Sequence, residues 1–179
     1  MNNFIMGIKD FEELGTEDLD YVTEPEPESS NDPAIDYEIK LRKKFSEIKS
    51  QKIKKMSLFQ TEFDGSNIIK KGQKAGIILE GKFTNSDNTE PEVKQYTVSL
   101  IKMIAAEALH RIPILKIFCF SEKISLKKFA KEIERYHFDA LLKGNLELWH
   151  YKPEENICEM VENYPYERVN MHYNTDSTF

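Results

Sequence analysis

The sequence predicts an α+β domain: one compact unit with an antiparallel or mixed sheet and two packed helices, preceded by an acidic N-terminal arm expected to be flexible. Three observations lead there. Several short runs alternate polar with apolar residues, or are wholly apolar, in the manner of strands. Two longer segments between such runs carry apolar residues at helical spacing. The charge is also divided. Residues 1–36 hold eleven acidic residues and one lysine, while the remainder is slightly basic within a chain total of −6. A length of 179 residues with 40% hydrophobic content is enough for one real core.

The arm has two parts. Phe4, Ile5, Ile8, Phe11 and Leu14 form one apolar stripe of a short helix, residues 1–16, which is marginal in water without a partner surface. We read these five residues as a self-association hook. Residues 17–36 follow with eight acidic side chains, Pro25, Pro27 and Pro33, and no lysine or arginine. Such a stretch cannot bury enough apolar surface to offset its ordering entropy, so it reads as a linker. The globular domain is expected over 37–173, with a frayed tail at 174–179.

Within the domain, residues 36–56 make a basic amphipathic segment with Leu41, Phe45 and Ile48 on one face. It reads either as a docking helix for a membrane or nucleocapsid surface or as a packed surface helix. Lys40, Arg42, Lys43, Lys44, Lys49, Lys52, Lys54 and Lys55 surround it. With Lys70, Lys71 and Lys74, these are candidate contacts for anionic surfaces. Residues 57–63 read as a strand closed by Asp64-Gly65. Gly76–Thr84 alternates as a half-buried strand, with Ile77, Leu79 and Phe83 on one side and Glu80, Lys82 and Thr84 on the other. Thr89-Glu90-Pro91-Glu92 is a capping box with proline in the first turn. It opens a helix to about Arg111 whose wide apolar face takes in Val93, Tyr96, Leu100, Ile101, Ile104, Ala108 and Leu109. Pro113 stops that helix. Ile114–Phe120 is nearly all apolar and reads as a central strand. Ser125 is placed to cap a second helix reaching His137, with Leu126, Phe129 and Ile133 inward. Leu141–Tyr151 and Ile157–Tyr164 form a hairpin around Pro153.

The chemistry-bearing residues are sparse. Cys119 lies in an apolar run, and with Cys158 it offers no disulfide framework. The four histidines have no zinc-type spacing. There is no nucleophile elbow, phosphate loop or dinucleotide fingerprint. No run is long enough to span a bilayer, and the N-terminus lacks the apolar core of a secretory signal. Trp149, Tyr136, Tyr151 and Tyr164 could stack bases but read more simply as sheet and core residues. One pattern carries possible catalysis: Asp64, followed on the next strand by Glu80-Gly81-Lys82. Two carboxylates and a lysine so placed resemble nucleases of the PD-(D/E)xK type, in which the carboxylates bind a divalent metal and the lysine stabilises the nucleophile or developing charge. A helix bearing Gln95 and then an apolar strand follow, as in that fold. The proline that usually precedes the aspartate is absent.

A second resemblance covers roughly residues 55–165. The order of elements is similar to that of rhabdovirus matrix proteins. It is carried by Gly76–Phe83 with the helix to Arg111, by Pro113–Phe120, and by Leu142-Lys143-Gly144-Asn145-Leu146-Glu147-Leu148 with its return strand. The acidic arm and the lack of a budding motif set the chain apart from animal members and nearer the plant-infecting, cytoplasmic ones. This resemblance implies a virion structural protein with no enzyme activity, no cofactor and no metal. Its expected partners are other copies of itself in a helical array, the viral nucleocapsid, an anionic membrane surface and a glycoprotein cytoplasmic tail, without sequence-specific nucleic-acid binding. The expected location is beneath the envelope and in the host cytoplasm. The metal-dependent nuclease is the alternative.

Overall fold

Asp32 starts the first helix. In the computed structural model, which describes residues 27–58, 61–67, 74–84, 90–135 and 145–164, its carboxylate accepts from the Ala34 N–H at 2.9 Å. Pro33 then occupies the first helical position, where its missing N–H costs nothing. Helix α1 (Pro33–Ile48) therefore begins inside the stretch read as a linker. The inward face is Tyr37, Leu41 and Phe45, all buried, whereas Ile48 is exposed. This corrects the expected stripe by one turn. α1 is a packed core helix, the third helix of a domain expected to pack two.

Six strands follow in a single sheet whose spatial order is the chain order: β1 (Lys54–Leu58), β2 (Thr61–Ser66), β3 (Gly76–Lys82), β4 (Ile114–Phe120), β5 (Leu146–Lys152) and β6 (Ile157–Tyr164). β1–β2, β2–β3 and β5–β6 pair antiparallel; β3–β4 and β4–β5 pair parallel. The sheet is mixed. Helices α2 (Glu90–His110) and α3 (Lys123–Arg135) are the two crossovers that parallel neighbours require. Both step in the same direction across the sheet, so both lie on one face. α1 covers the other.

Two cores result. On one side Tyr37, Leu41 and Phe45 of α1 pack on Ile77, Leu79, Ile117, Cys119 and Tyr151. On the other, Tyr96, Leu100 and Met103 of α2 and Leu126, Phe129 and Ile133 of α3 pack on Ile78, Phe118, Phe120, Leu146 and Leu148. Each such side chain taken from water contributes roughly 1.5–3 kcal/mol.

Several expectations change at this level. Residues 57–63 are not one strand. The chain reverses between Leu58 and Thr61, so Met56 pairs with Phe63 across a hairpin and both reach the α2 side. Asp64 and Gly65 lie inside β2. β3 is not half-buried: Ile77, Ile78, Leu79 and Glu80 are all buried, because helices cover both faces. The broad face of α2 divides into two. Tyr96, Leu100 and Met103 point inward, while Ile101, Ala108 and Leu109 are exposed on the opposite side. Ser125 does not cap α3; it lies within the first turn, fully buried. Thr89 and residues 1–26 lie outside the described residues.

Two details fix the layers. A Cβ at Gly81 would stand 2.8 Å from Leu41 Cδ2 and 3.1 Å from Tyr37 Cε1, so only glycine lets α1 lie this close to β3. On the other face, Glu107 of α2 accepts from the Ile114 N–H at 3.0 Å and pairs with Lys116, whose side chain is fully buried. Gly81→Ala should therefore lower unfolding stability by about 1–3 kcal/mol in a urea titration. Glu107→Ala removes the carboxylate paired with a buried ammonium and should cost about 3–5 kcal/mol in the same measurement.

Candidate active site

The short β2–β3 ladder is finished at both ends by side chains. The backbone pairs at Gly65↔Leu79 and Ser66↔Ile78. Toward one end the Ile77 N–H donates to Asn67 Oδ1 at 2.6 Å. Toward the other the Gly81 N–H donates to Asp64 Oδ2 at 2.7 Å. The Asp64 carboxylate thus meets β3 between Glu80 and Lys82. Behind it the Arg42 guanidinium of α1 donates to the Asp64 carbonyl at 2.7 Å.

Glu80 and Lys82 are two residues apart on β3 and so share a face. Lys82 Nζ is 2.8 Å from Glu80 Oε2. The ammonium lies over the Tyr96 ring of α2, 5.5 Å from its centroid, and 6.0 Å from that of Phe118 on β4. Glu80 is only 6% exposed. A carboxylate, a second carboxylate and an ammonium are thereby gathered at a place largely shut off from water, where charges act strongly on each other.

The acidities follow from that burial. Desolvation pushes the Glu80 carboxyl up to about 7; the Lys82 ammonium opposes the shift and the Asp64 charge adds to it. Desolvation also holds Asp64 above the ordinary carboxylate range, against the Gly81 N–H and the Lys82 and Arg42 charges. On α1, Glu38 is raised by burial and then by the Asp64 charge. Glu38 is the acidic neighbour that sequence reasoning missed. It lies on α1, a helix read only for its lysines.

Among the described residues, no group of three histidine, cysteine, aspartate or glutamate side chains is placed to hold a metal ion. The Asp64–Glu80 pair nevertheless suits a hard divalent cation. Its donors are carboxylate oxygens, and Mg²⁺ is commonly held by one or two carboxylates with substrate phosphate oxygens completing the shell.

The other candidates fare differently. Lys43, Lys52 and Lys74 are exposed. Lys40 is exposed and meets Asp36 at 2.8 Å and Glu154 at 3.6 Å. Lys55 pairs with Glu62. Lys49 is 2.8 Å from Glu147 Oε2 and lies over Trp149. Lys44 and Lys54 are half-buried. Arg42 is buried and turned toward Asp64, so it is not a surface contact. Phe4, Ile5, Ile8, Phe11, Leu14, Lys70 and Lys71 fall outside the described residues. Of the aromatic residues considered for stacking, Tyr151 and Tyr164 are buried and Trp149 packs edge-on to Phe45, so these three serve the core; Tyr136 is outside the description. Gln95 is exposed. No described helix is long and apolar enough to cross a membrane.

No family model, curated protein or solved structure matches this chain.

The raised pKa of Glu80 has a thermodynamic consequence. An unfolded glutamate ionises near 4.5, and this one near 7 when folded. Between those values the folded state holds the extra proton. The contribution of Glu80 is therefore complete below pH 4.5 and is lost as the pH rises through 7. Glu80→Gln should flatten the fall in melting temperature between pH 5 and 8 and raise stability at pH 8. Unchanged pH profiles in the two proteins would show that Glu80 titrates normally.

Proposed function

We propose that this chain is a metal-dependent nuclease whose reaction centre is Asp64, Glu80 and Lys82. The observation that carries the proposal is their convergence: Asp64 on β2 meets the backbone of the Glu80-Gly81-Lys82 segment on the neighbouring β3, with Glu80 buried and Asp64 half-buried. The order of parts supports it as well. The acid-x-lysine strand is followed by α2 and then by apolar β4, which lies beside β3.

Each residue has a role. Asp64 and Glu80 would hold the cation; burial raises the pKa of both carboxyls, and a bound positive charge would favour their ionised forms. When bound, a divalent ion supplies charge neutralisation at a phosphoryl oxygen and a lowered pKa for water. Lys82 is held by Glu80 and two rings, so its ammonium is oriented in advance. It would stabilise the attacking hydroxide or the negative charge developing on phosphorus, the kind of fixed electrostatic aid that needs little rearrangement during reaction. Gly81 contributes its N–H, which fixes the Asp64 carboxylate at the strand.

The test is incubation with single- and double-stranded DNA and with RNA in the presence of Mg²⁺ or Mn²⁺. The expected result is phosphodiester cleavage that stops on chelation, disappears in Glu80→Ala, and falls about 100-fold or more in Lys82→Ala. Glu80→Gln, checked for folding by circular dichroism, should be inactive as well. Absence of cleavage on all three substrates would refute the proposal, as would cleavage indifferent to Glu80.

A second reading is a non-enzymatic, matrix-like structural protein. It is favoured by the exposed Lys43, Lys52 and Lys74, a positive set suited to anionic headgroups or an acidic nucleocapsid surface. It requires sedimentation with acidic vesicles that weakens with salt, in a protein without nuclease activity.

A further inference from the structure

α3 has two unlike sides. Its inner side chains, Leu126, Phe129 and Ile133, are buried against the sheet and α2. Its outer side is basic. Of its 13 residues, five are Lys123, Lys127, Lys128, Lys131 and Arg135, and all five are exposed. At 100° per residue they fall within one arc of about 140°, turned away from the buried side chains. Ile124 and Glu134 are exposed in the same arc, and Glu132 is half-buried at its margin. At the two ends of the row, Lys123 meets Glu159 of β6 at 2.6 Å and Arg135 meets Glu132 at 3.6 Å. Lys127, Lys128 and Lys131 lie between those two pairs along the helix.

We propose that this side of α3 is a track for the sugar–phosphate backbone of a nucleic acid, contacted through Lys127, Lys128 and Lys131. The choice of nucleic acid among polyanions rests on the nuclease reading above. Three observations favour it. The first is place. α3 lies over β4 and β5 and touches α2, on the side of the sheet that carries Lys82. The Tyr96 ring of α2, 5.5 Å from the Lys82 ammonium, packs edge-on against Phe129 of α3 at 5.9 Å. One pair of rings thus separates the helix from the proposed reaction centre. Lys102 of α2 is exposed and near enough to Glu80 to oppose the rise of its pKa, so positive charge continues toward that centre.

The second observation is length. From Lys123 to Arg135 the row rises about 18 Å, which matches about five phosphates of one strand at a rise of 3.4 Å each. The third is that the apolar side of α3 is already used. A helix that lies in a lipid surface needs its apolar side free to enter the headgroup boundary, and here Leu126, Phe129 and Ile133 hold the core. A nucleic-acid backbone needs only the row of charge, because neutralising its phosphates releases their counterions.

Fluorescence anisotropy of a labelled single-stranded oligonucleotide and of its duplex tests this, with the full-length protein in EDTA so that nothing is cut. The native protein should bind, and less tightly as salt rises. Lys127→Ala/Lys128→Ala/Lys131→Ala alters only exposed positions and should retain the native circular dichroism. It should bind about tenfold more weakly at about 0.1 M salt, and its slope of log affinity against log salt should flatten by about 2 on the single strand. Lys43→Ala/Lys52→Ala/Lys74→Ala removes the same charge elsewhere and should change binding by less than about twofold at that salt. The proposal is overturned if the native protein binds neither oligonucleotide, if the α3 variant keeps the native affinity and slope, if both variants weaken binding equally, or if the native protein takes up acidic vesicles but no oligonucleotide. The two readings fail separately. Binding that depends on α3 in a protein that never cuts leaves the track standing and ends the nuclease proposal. Cleavage by the α3 variant with the native KM does the reverse.

Discussion

The parallel pairing of β3 with β4 governs this molecule, because strands running the same way side by side cannot be joined by a tight turn. Seven register pairs, from Gly76↔Ile114 to Lys82↔Phe120, commit the chain to the α2 crossover on one face. α1 closes the opposite face, where Gly81 leaves it room. β3 is therefore covered on both sides along most of its length. Yet its sequence places Glu80 and Lys82 there, at positions that alternation alone would give to water. The raised pKa of Glu80 follows from that enforced burial.

Charges buried in the sheet are handled in two ways, and the contrast separates structure from chemistry. Lys116 on β4 is matched by one carboxylate, Glu107, which also accepts from the Ile114 backbone. That unit joins the end of α2 to the start of β4 and needs nothing further from outside. The β2–β3 cluster differs. Asp64, Glu80 and Glu38 gather beside Lys82 and Arg42. Burial raises the pKa of all three carboxyls, which marks this cluster, unlike the Lys116 pair, as a candidate for chemistry.

Much of the fold was legible because the hydrophobic period is local. Ile114–Phe120 reads as a central strand from its apolar run, and Leu141–Tyr151 with Ile157–Tyr164 reads as a hairpin from alternation around Pro153. Leu126, Phe129 and Ile133 read as an inward face from helical spacing. The errors arose where one pattern served two partners. Residues 54–66 contain two strands, yet their apolar positions merge into one when the reversal between Leu58 and Thr61 is not seen. The apolar residues of α2 lie on two opposite sides, and counting alone fuses them. Pro33 looked like part of a linker, but with Asp32 before it, it is the first residue of a helix. The Asp64…Glu80-Gly81-Lys82 pattern was visible in one dimension. Its weight was not, because alternation suggested a solvent-facing strand.

The sequence by itself determined the elements, the acidic arm and the residue types available for chemistry, since propensity, periodicity and charge act over a few residues. Only the tertiary structure decided the order of the strands, which face of α2 is buried, and that Glu80 is buried beside Asp64. Those outcomes depend on strand order and helix placement. Desolvation, the largest cause of the raised pKa of both carboxyls, is a property of everything packed around a group and not of its neighbours in the chain.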